Sequence, residues 1–310
     1  MPAAKLQRAS ATAAGKVILL GEHVVVHGHP AIVAGIDRGV RVTVVPHGSA
    51  GGAPDAADAR LGQAIGLATR LLGLGPCQFE VVIEGDLPVG MGLGSSAALA
   101  VALLRALAAS AARAPSDDEL AAHAHEIERL FHGTPSGVDS TASTYGGVLW
   151  FEAGPPVRYE RLLLPAPLPI VVALSKTPHA TSQTVGSLRE RAARAPEVYQ
   201  PVFVAVAALV TAARAALCAD DRAGLGALMT MNHGLLRACG VSTPELDALV
   251  EAALAAGALG AKLTGAGGGG AVLALPDGPP GPLLATLRAA GHDCFAATLG
   301  AAPASPAAVR

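Results

Sequence analysis

The stretch Leu87-Pro-Val-Gly-Met-Gly-Leu-Gly-Ser-Ser-Ala-Ala98 governs how the rest of the chain is interpreted. Three glycines at alternate positions run into two serines, and residues 97–112 continue without Gly or Pro. Glycine accepts positive φ and lets a ligand approach the main chain closely. A helix beginning at the serines would present unpaired N–H groups and the positive end of its dipole. The stretch therefore predicts either a phosphate cradle or a glycine-rich turn before a core helix.

Two common phosphate-binding motifs do not fit this stretch. A Walker A loop has a lysine directly after its last glycine, whereas Ser95 follows Gly94. A dinucleotide fingerprint, G-x-G-x-x-G, needs glycine where this chain has Ser95. The later run 265–270 matches that fingerprint, but it precedes a predicted strand instead of a helix. A phosphate cradle at residues 90–96 would therefore belong to another nucleotide-binding class.

Composition limits the function classes. The chain has 310 residues, enough for one large or two medium domains, and it is 51% hydrophobic and 15% charged. A net charge of −2 without a basic stripe speaks against a nucleic-acid partner. Four scattered cysteines without a C-x-x-C pair indicate neither zinc nor a disulfide framework. The N-terminus lacks a signal-peptide core, and the apolar run 202–213 is too short to span a bilayer, so we expect a cytoplasmic protein without membrane attachment.

Lysine is rare in this chain, with four residues against 18 arginines, so each lysine is a candidate for a role that arginine cannot fill. Lys16 begins a predicted strand that Glu22 and His23 interrupt. Charged residues of this kind can lie at solvated strand ends. Gly15 and Gly21 flank them, however, and this arrangement favours the rim of a pocket.

Two carboxylates are candidates for one site. The capping box Ser116-Asp-Asp-Glu119 predicts a helix to about Phe131, which carries Glu128 near its end. Gly133-Thr-Pro-Ser-Gly-Val-Asp139 predicts a tight polar turn. Glu128 could instead lie on a solvated helix face, and Asp139 could form an Asx turn or a helix N-cap.

Prolines cluster between residues 155 and 169, which predicts a domain boundary and two domains, 1–163 and 164–310. In the second, Lys262-Leu-Thr-Gly-Ala-Gly-Gly-Gly-Gly270 predicts another glycine-rich loop, leading into a strand over 271–275. Two glycine-rich loops, a lone lysine and a pair of carboxylates together suit phosphoryl transfer from a nucleotide, which depends on positioning and on charge stabilisation.

The motifs at residues 15–28, 90–98, 133–139 and 262–270 occur in the order and spacing of the GHMP kinase superfamily, which the chain resembles over about residues 10–275. Within that superfamily the run G-E-H-x-V-V-H-G resembles the branch that phosphorylates mevalonate. The resemblance implies an α+β fold with two domains. The N-terminal one would be like domain 2 of ribosomal protein S5, the C-terminal one would be ferredoxin-like, and the active site would lie in the cleft between them.

The resemblance also implies a reaction, the ATP-dependent phosphorylation of the C5 hydroxyl of (R)-mevalonate with Mg²⁺. Asp139 would be the base and Lys16 the neighbouring cation, and Ser96 and Glu128 would bind the metal. The substrate would meet Glu22, His23, Thr181, Gly265 and Ala266. The ATP phosphates would be wrapped by the nucleotide loop, Gly90, Met91, Gly92, Leu93, Gly94, Ser95, Ser96 and Ala97. Dimers are common in the superfamily, so a homodimer is a further expectation.

Two other functions compete with this hypothesis. A sister kinase acting on phosphomevalonate or another small alcohol should need added Arg or Lys near Glu22, and only Arg38 and Arg41 are close in sequence. A non-catalytic binding protein on the same fold would be expected to have lost Asp139, Lys16 or Glu128, and all three are present.

Overall fold

The computed structural model describes residues 6–46, 59–75, 79–132, 135–154, 156–178 and 181–300, with the side chains of residues 181–183 excepted. Strands and helices alternate irregularly along these ranges. The first part contains β1 (Ala9–Leu20), a 3₁₀ helix (Val24–His27), β2 (Ala31–Pro46), α1 (Ala59–Leu71), β3 (Phe79–Gly85), α2 (Ser95–Ser110), α3 (Asp117–His132), α4 (Val138–Tyr145), β4 (Val148–Glu152) and β5 (Arg158–Leu162). The second part contains β6 (Leu168–Leu174), α5 (Thr181–Arg194), α6 (Pro196–Cys218), α7 (Arg222–Ala238), α8 (Pro244–Ala255), β7 (Ala258–Thr264), β8 (Ala271–Pro276), α9 (Gly281–Ala289) and β9 (Cys294–Leu299).

The strands form an extended antiparallel sheet. Seven of them follow the order β5-β4-β2-β9-β6-β8-β7, and β1 and β3 also pair with the long strand β2. Every strand pairing in the described residues is antiparallel. A doubly wound dinucleotide fold, whose sheet is mostly parallel, is therefore excluded, and the α+β class is confirmed.

Strand β9 joins the two halves of the chain. It pairs with β6 along most of its length and meets β2 at Ile36 opposite Leu299. The Asp37 side chain reinforces this junction by accepting a hydrogen bond from Thr298 N–H over 3.0 Å. The boundary at residues 163 and 164 stays a prediction.

Helix α2 lies at the centre of the first half. Eleven of its sixteen residues are buried, and it packs against β1, β2, α1, α3 and α4. A helix that is apolar on all sides must be enclosed by the fold. The position of its first residue, Ser95, is therefore set by the core, and the preceding nucleotide loop is anchored on a rigid element.

Three local predictions need correction. Asp139 does not lie in a turn, because Gly137 adopts φ 85° and α4 begins at the next residue. The predicted loop at residues 262–270 begins as strand, since β7 extends to Thr264. Strand β5 was not predicted, because three of its five residues are charged and four of the five are exposed.

Helix α6 is long and apolar enough, by length and composition, to cross a membrane, although its most apolar run looked too short in the sequence. In this structure one face of α6 packs against neighbouring helices and strands. Its buried side chains include Phe203, Val206 and Val210, and it contacts α5, α7, β1 and β2.

Helix α7 and strand β7 touch through two glycines. A Cβ on Gly260 would lie 2.0 Å from the carbonyl oxygen of Gly226, and one on Gly226 would lie 2.3 Å from that of Leu259. We expect Gly260→Ala to lower the free energy of unfolding by about 1–3 kcal/mol or more, since backbone would have to move. The matched control is Gly62→Ala in α1, where nothing lies within 4 Å. There alanine should raise stability by about 0.5–1 kcal/mol. Urea unfolding measures both, and a Gly260→Ala protein as stable as the parent would contradict the close contact.

Candidate active site

The nucleotide loop has the backbone that its glycines predict. Gly90, Gly92 and Gly94 adopt φ values of 75°, 75° and 74°, in the left-handed region that favours glycine. Gly94 is the N-cap of α2 and makes no side-chain cap. The helix N-terminus is therefore left to a ligand, and its dipole favours an anion there.

The other residues of this loop divide between core and surface. Leu93 and Ala97 are buried, so they would offer a ligand their main chain. Met91, Ser95 and Ser96 are half-buried. On the far side of the loop, a Cβ added to Gly90 would lie 3.7 Å from the Cβ of Pro178, so the loop faces the second half of the chain.

Lys16 lies directly beneath this loop. Its backbone N–H donates to the carbonyl oxygen of Leu93 over 2.9 Å. A Cβ on Gly94 would lie 2.7 Å from Lys16 Cγ, so glycine at position 94 makes room for the lysine stem. The Lys16 side chain is 4% exposed, and its Nζ is 2.8 Å from Oδ1 of Asp139.

Asp139 combines access with a strong charge partner. Its side chain is 31% exposed, so its carboxylate can meet a substrate. It lies in the first turn of α4, where the helix dipole favours a negative charge. The ammonium of Lys16 is a second positive partner, 2.8 Å from the carboxylate. The arrangement presents a charge-paired, accessible carboxylate, which is a candidate proton acceptor.

Glu128 lies on the buried side of α3, not on a solvated face. Its side chain is 1% exposed. Burial raises the pKa of Glu128 to about 8, the charge of Asp139 adds to this, and the charge of Lys16 and hydrogen bonding from Ser140 act against it. Oε2 of Glu128 has no hydrogen-bond partner among the described residues. An unpaired, buried carboxylate oxygen beside a second carboxylate is suited to a cation.

The residues present fit Mg²⁺ as it occurs beside phosphates. Mg²⁺ prefers oxygen ligands and uses one or two carboxylates, with substrate phosphates and water completing its shell. The unpaired oxygen of Glu128 supplies such a ligand. In the described ranges no group of three or more His, Cys, Asp or Glu could hold a metal ion. A metal here would therefore be shared with the phosphates.

His132 is a residue that sequence reasoning missed. Its Nε2 lies 2.9 Å from Oγ of Ser96, at the start of α2. Burial lowers the pKa of His132, the charge of Asp139 opposes this and the charge of Lys16 adds to it, so the neutral ring is favoured. In the sequence His132 appeared only as the end of a helix, and no local pattern links it to a residue 36 positions earlier.

His23 and Ala266 meet in the acceptor region proposed from the sequence. His23 adopts φ 63° and ψ −43°, which is strained for a residue other than glycine. Its Nε2 is 2.9 Å from the carbonyl oxygen of Ala266, next to Gly265 with φ 81°. Thr181 begins α5, but its side chain lies outside the described part of the chain.

Glu22 lies in the interior next to His23, and its predicted contact with the acceptor stays a prediction. Its side chain has no exposed surface. Oε1 accepts from Lys262 Nζ, and Oε2 accepts from Asn232 Nδ2 over 3.0 Å. Both carboxylate oxygens of Glu22 are therefore bound in the interior, directly before His23 in the chain. No sequence pattern singled out Asn232, whereas Lys262 stood out as one of four lysines and as the first residue of the glycine-rich motif.

Comparisons with known proteins agree with this architecture. The model for the GHMP kinases N terminal domain matches residues 60–147, and that for the GHMP kinases C terminal matches residues 213–297. Curated relatives named mevalonate kinase include one from Pyrococcus abyssi, 36% identical over 91% of this chain and 92% of its own. Another is from Thermococcus onnurineus, 38% identical over 86% of this chain and 89% of its own.

A solved structure, L. major mevalonate kinase in complex with R-mevalonate, is similar with a TM-score of 0.87 and 30% identity. The match covers 98% of this chain and 99% of the solved chain. The relatives and the solved structure thus match this chain over most of its length, and the two family models match parts of both halves. The chain belongs to the GHMP kinase superfamily and, within it, to the mevalonate kinases.

Proposed function

We propose that the protein transfers the γ-phosphoryl group of ATP to the C5 hydroxyl of (R)-mevalonate, giving 5-phosphomevalonate and ADP. The observation that carries this proposal is the 2.8 Å contact between Lys16 Nζ and the accessible carboxylate of Asp139, directly beneath the nucleotide loop. Relatives across nearly the full length are named mevalonate kinase, and a similar structure holds R-mevalonate.

Asp139 acts as the general base in this proposal. It accepts the proton of the acceptor hydroxyl while that oxygen forms its bond to the γ-phosphorus and the bond to the ADP oxygen breaks. Lys16 holds Asp139 in place through their ion pair and offsets negative charge that develops on the transferring group. The loop at residues 90–97 and the N-terminus of α2 hold the phosphates.

Ser96 and Glu128 would hold Mg²⁺. When bound, the ion neutralises phosphate charge and helps to orient the transferring group. The hydroxyl of Ser96 would exchange its contact with His132 for the metal, and Glu128 would ionise, because a cation beside a buried carboxyl stabilises the charged form.

His23, Thr181 and the Gly265–Ala266 main chain form the acceptor side of the proposed site, with Glu22 behind them. A phosphorylated acceptor would need additional cations there. Arg38, one of the two arginines near Glu22 in sequence, is 3.7 Å from Asp86 and lies over the ring of Phe295. Because these contacts already engage the Arg38 guanidinium, it is not a ready partner for an acceptor phosphate. This favours mevalonate over phosphomevalonate as the acceptor. A cytoplasmic location and a homodimer are further parts of this proposal and rest on the sequence and the family.

An acceptor panel tests the substrate. With Mg-ATP, the purified protein should form ADP rapidly when given (R)-mevalonate and slowly with 5-phosphomevalonate, galactose or homoserine. A coupled ADP assay measures the rates. Turnover of another acceptor without turnover of mevalonate would contradict the proposal.

Replacing the base tests the mechanism. Asp139→Asn keeps the shape of the side chain but cannot accept the proton, so kcat should fall by about 10²–10⁴-fold. Mg-ATP binding, followed by calorimetry, should change little because Asp139 does not hold the phosphates. Asp117→Asn, an exposed position in the first turn of α3, is the matched control and should keep the parent kcat. Near-normal turnover of Asp139→Asn would rule out the base assignment.

Replacing the buried carboxylate tests the metal site. Glu128→Gln removes the charge that would bind Mg²⁺, so the Mg²⁺ concentration giving half-maximal rate should rise by about 10-fold or more. Glu126→Gln is the control, since Glu126 is exposed on the same helix and pairs with Arg129. Rates measured across a Mg²⁺ titration at fixed ATP check this. An unchanged Mg²⁺ requirement in Glu128→Gln would contradict metal binding there.

A further inference from the structure

Two side chains without any exposed surface form an ion pair that neither the phosphate loop nor the proton transfer uses. Lys262 Nζ, on β7, donates to Oε1 of Glu22, and both side chains are 0% exposed. The same ammonium donates to the carbonyl oxygen of Leu263. The two charged residues are 240 positions apart, so the pair ties the N-terminal part of the chain to the C-terminal part.

Stability alone is a weak reason for such a pair. Burial raises the pKa of Glu22 and lowers the pKa of Lys262, and the charge of each partner opposes the shift of the other. Both charges lose their hydration, and apolar side chains of similar size are often equally good or better for stability at such a position. A buried pair of this kind is better explained by the geometry that it fixes.

The pair fixes a strained segment. Glu22 immediately precedes His23, whose φ of 63° with ψ of −43° is costly for a residue with a side chain. Such a backbone persists only where its surroundings over-determine it. Glu22 is held on both carboxylate oxygens, by Lys262 and by Asn232, so its backbone has little freedom to relax the strain at His23.

Three side-chain links join the same two segments, residues 18–23 and 262–266. Thr264 Oγ1 donates to the carbonyl oxygen of Ile18 and accepts from its N–H, at 2.9 and 3.0 Å. Lys262 binds Glu22, and His23 lies 2.9 Å from the carbonyl oxygen of Ala266. In the first segment Glu22 lies between Ile18 and His23, and in the second Lys262 begins the stretch that continues to Ala266, so the charged link helps to set how the turn and the glycine-rich loop face each other.

We propose that Lys262 is a positioning residue for the acceptor alcohol: by holding Glu22 it fixes His23 and the Gly265–Ala266 main chain in the arrangement that receives the substrate. This inference rests on the proposed function, because it takes these segments as the acceptor side of the site. In the part of the chain that the structure describes, the hydrogen bonds of the Lys262 ammonium go to Glu22 and Leu263 and not to Asp139, Lys16 or the nucleotide loop. Its effect should therefore be confined to the acceptor.

The test varies acceptor and Mg-ATP independently in steady-state kinetics. Lys262→Met keeps most of the side-chain volume and removes the charge. We expect the KM for mevalonate to rise by about 10-fold or more, and the KM for Mg-ATP to stay within about twofold of the parent value. Equal increases in both KM values, or a loss confined to kcat, would overturn the proposal.

A double variant separates positioning from folding. Lys262→Met alone leaves Glu22 buried without its partner, which destabilises the protein. Glu22→Gln combined with Lys262→Met removes both charges and should recover most of the lost Tm, yet keep the raised KM for mevalonate. If the KM returns to the parent value together with Tm, the pair is structural only. Should Lys262→Met fail to fold, the double variant decides by itself.

The control is another link between the two halves. Asp37→Ala removes the hydrogen bond to Thr298 N–H at the β2–β9 junction. It should lower Tm without changing the KM for mevalonate, and an equal rise in that KM would overturn the proposal. If the parent protein phosphorylates a different acceptor in the panel, the proposed function fails, and the same comparison with that acceptor still decides the role of Lys262.

Discussion

The close approach of β1 to the nucleotide loop is the constraint on which the site depends. The backbone of Lys16 bonds to Leu93 over 2.9 Å, and the lysine stem occupies the space that a side chain at position 94 would fill. Because the stem passes beneath the loop, its ammonium emerges beside Asp139. A Walker loop carries its phosphate-binding lysine within the loop itself. Here a neighbouring strand supplies the cation, and the same cation also pairs with Asp139, the proposed base.

The two carboxylates of the site differ in role because their surroundings differ. Asp139 is 31% exposed and has an ammonium 2.8 Å away, so its charge is stabilised and accessible. Glu128 is buried with one oxygen unpaired, and its raised pKa reflects a charge that lacks a partner. A carboxylate that is paired with an ammonium and open to solvent is suited to accept a proton from a substrate. A buried carboxylate with an unpaired oxygen is suited to bind a metal ion. The residue type alone does not distinguish the two.

Local patterns predicted what local forces determine. The alternate glycines predicted left-handed backbone, which Gly90, Gly92 and Gly94 confirm. The capping box is present, with Ser116 and Glu119 bonded to each other at the start of α3. The signals around Asp139 were ambiguous, because glycine followed by small polar residues suits a turn and a helix start equally. The chain resolves this through a left-handed Gly137 and a short helix.

Long-range pairing was beyond such patterns. The family resemblance predicted that Glu22 meets the substrate, but only the tertiary structure shows that β7 and α7 enclose it with Lys262 and Asn232. The strand around Lys262 was interpreted as loop, since a charged residue is unusual in a buried strand. Neither burial follows from a local pattern, because each charge is acceptable in the interior only through a partner far along the chain.

The two buried lysines show why this arginine-rich chain retains lysine at these positions. A guanidinium is planar and carries five donors that need several acceptors, whereas an ammonium is a compact charge on a flexible stem. At Lys262 the two acceptors are one oxygen of Glu22 and the carbonyl of Leu263, inside a site with no exposed surface. At Lys16 the stem must fit against Gly94 before it reaches Asp139. Arginine would overfill the first position, and at the second it would bring a larger planar head group to Asp139. The two lysines differ in the exposure of their partners, because Asp139 is accessible and Glu22 is fully buried. The Lys16–Asp139 pair can therefore exchange a proton with a substrate, whereas the Lys262–Glu22 pair holds the backbone in place.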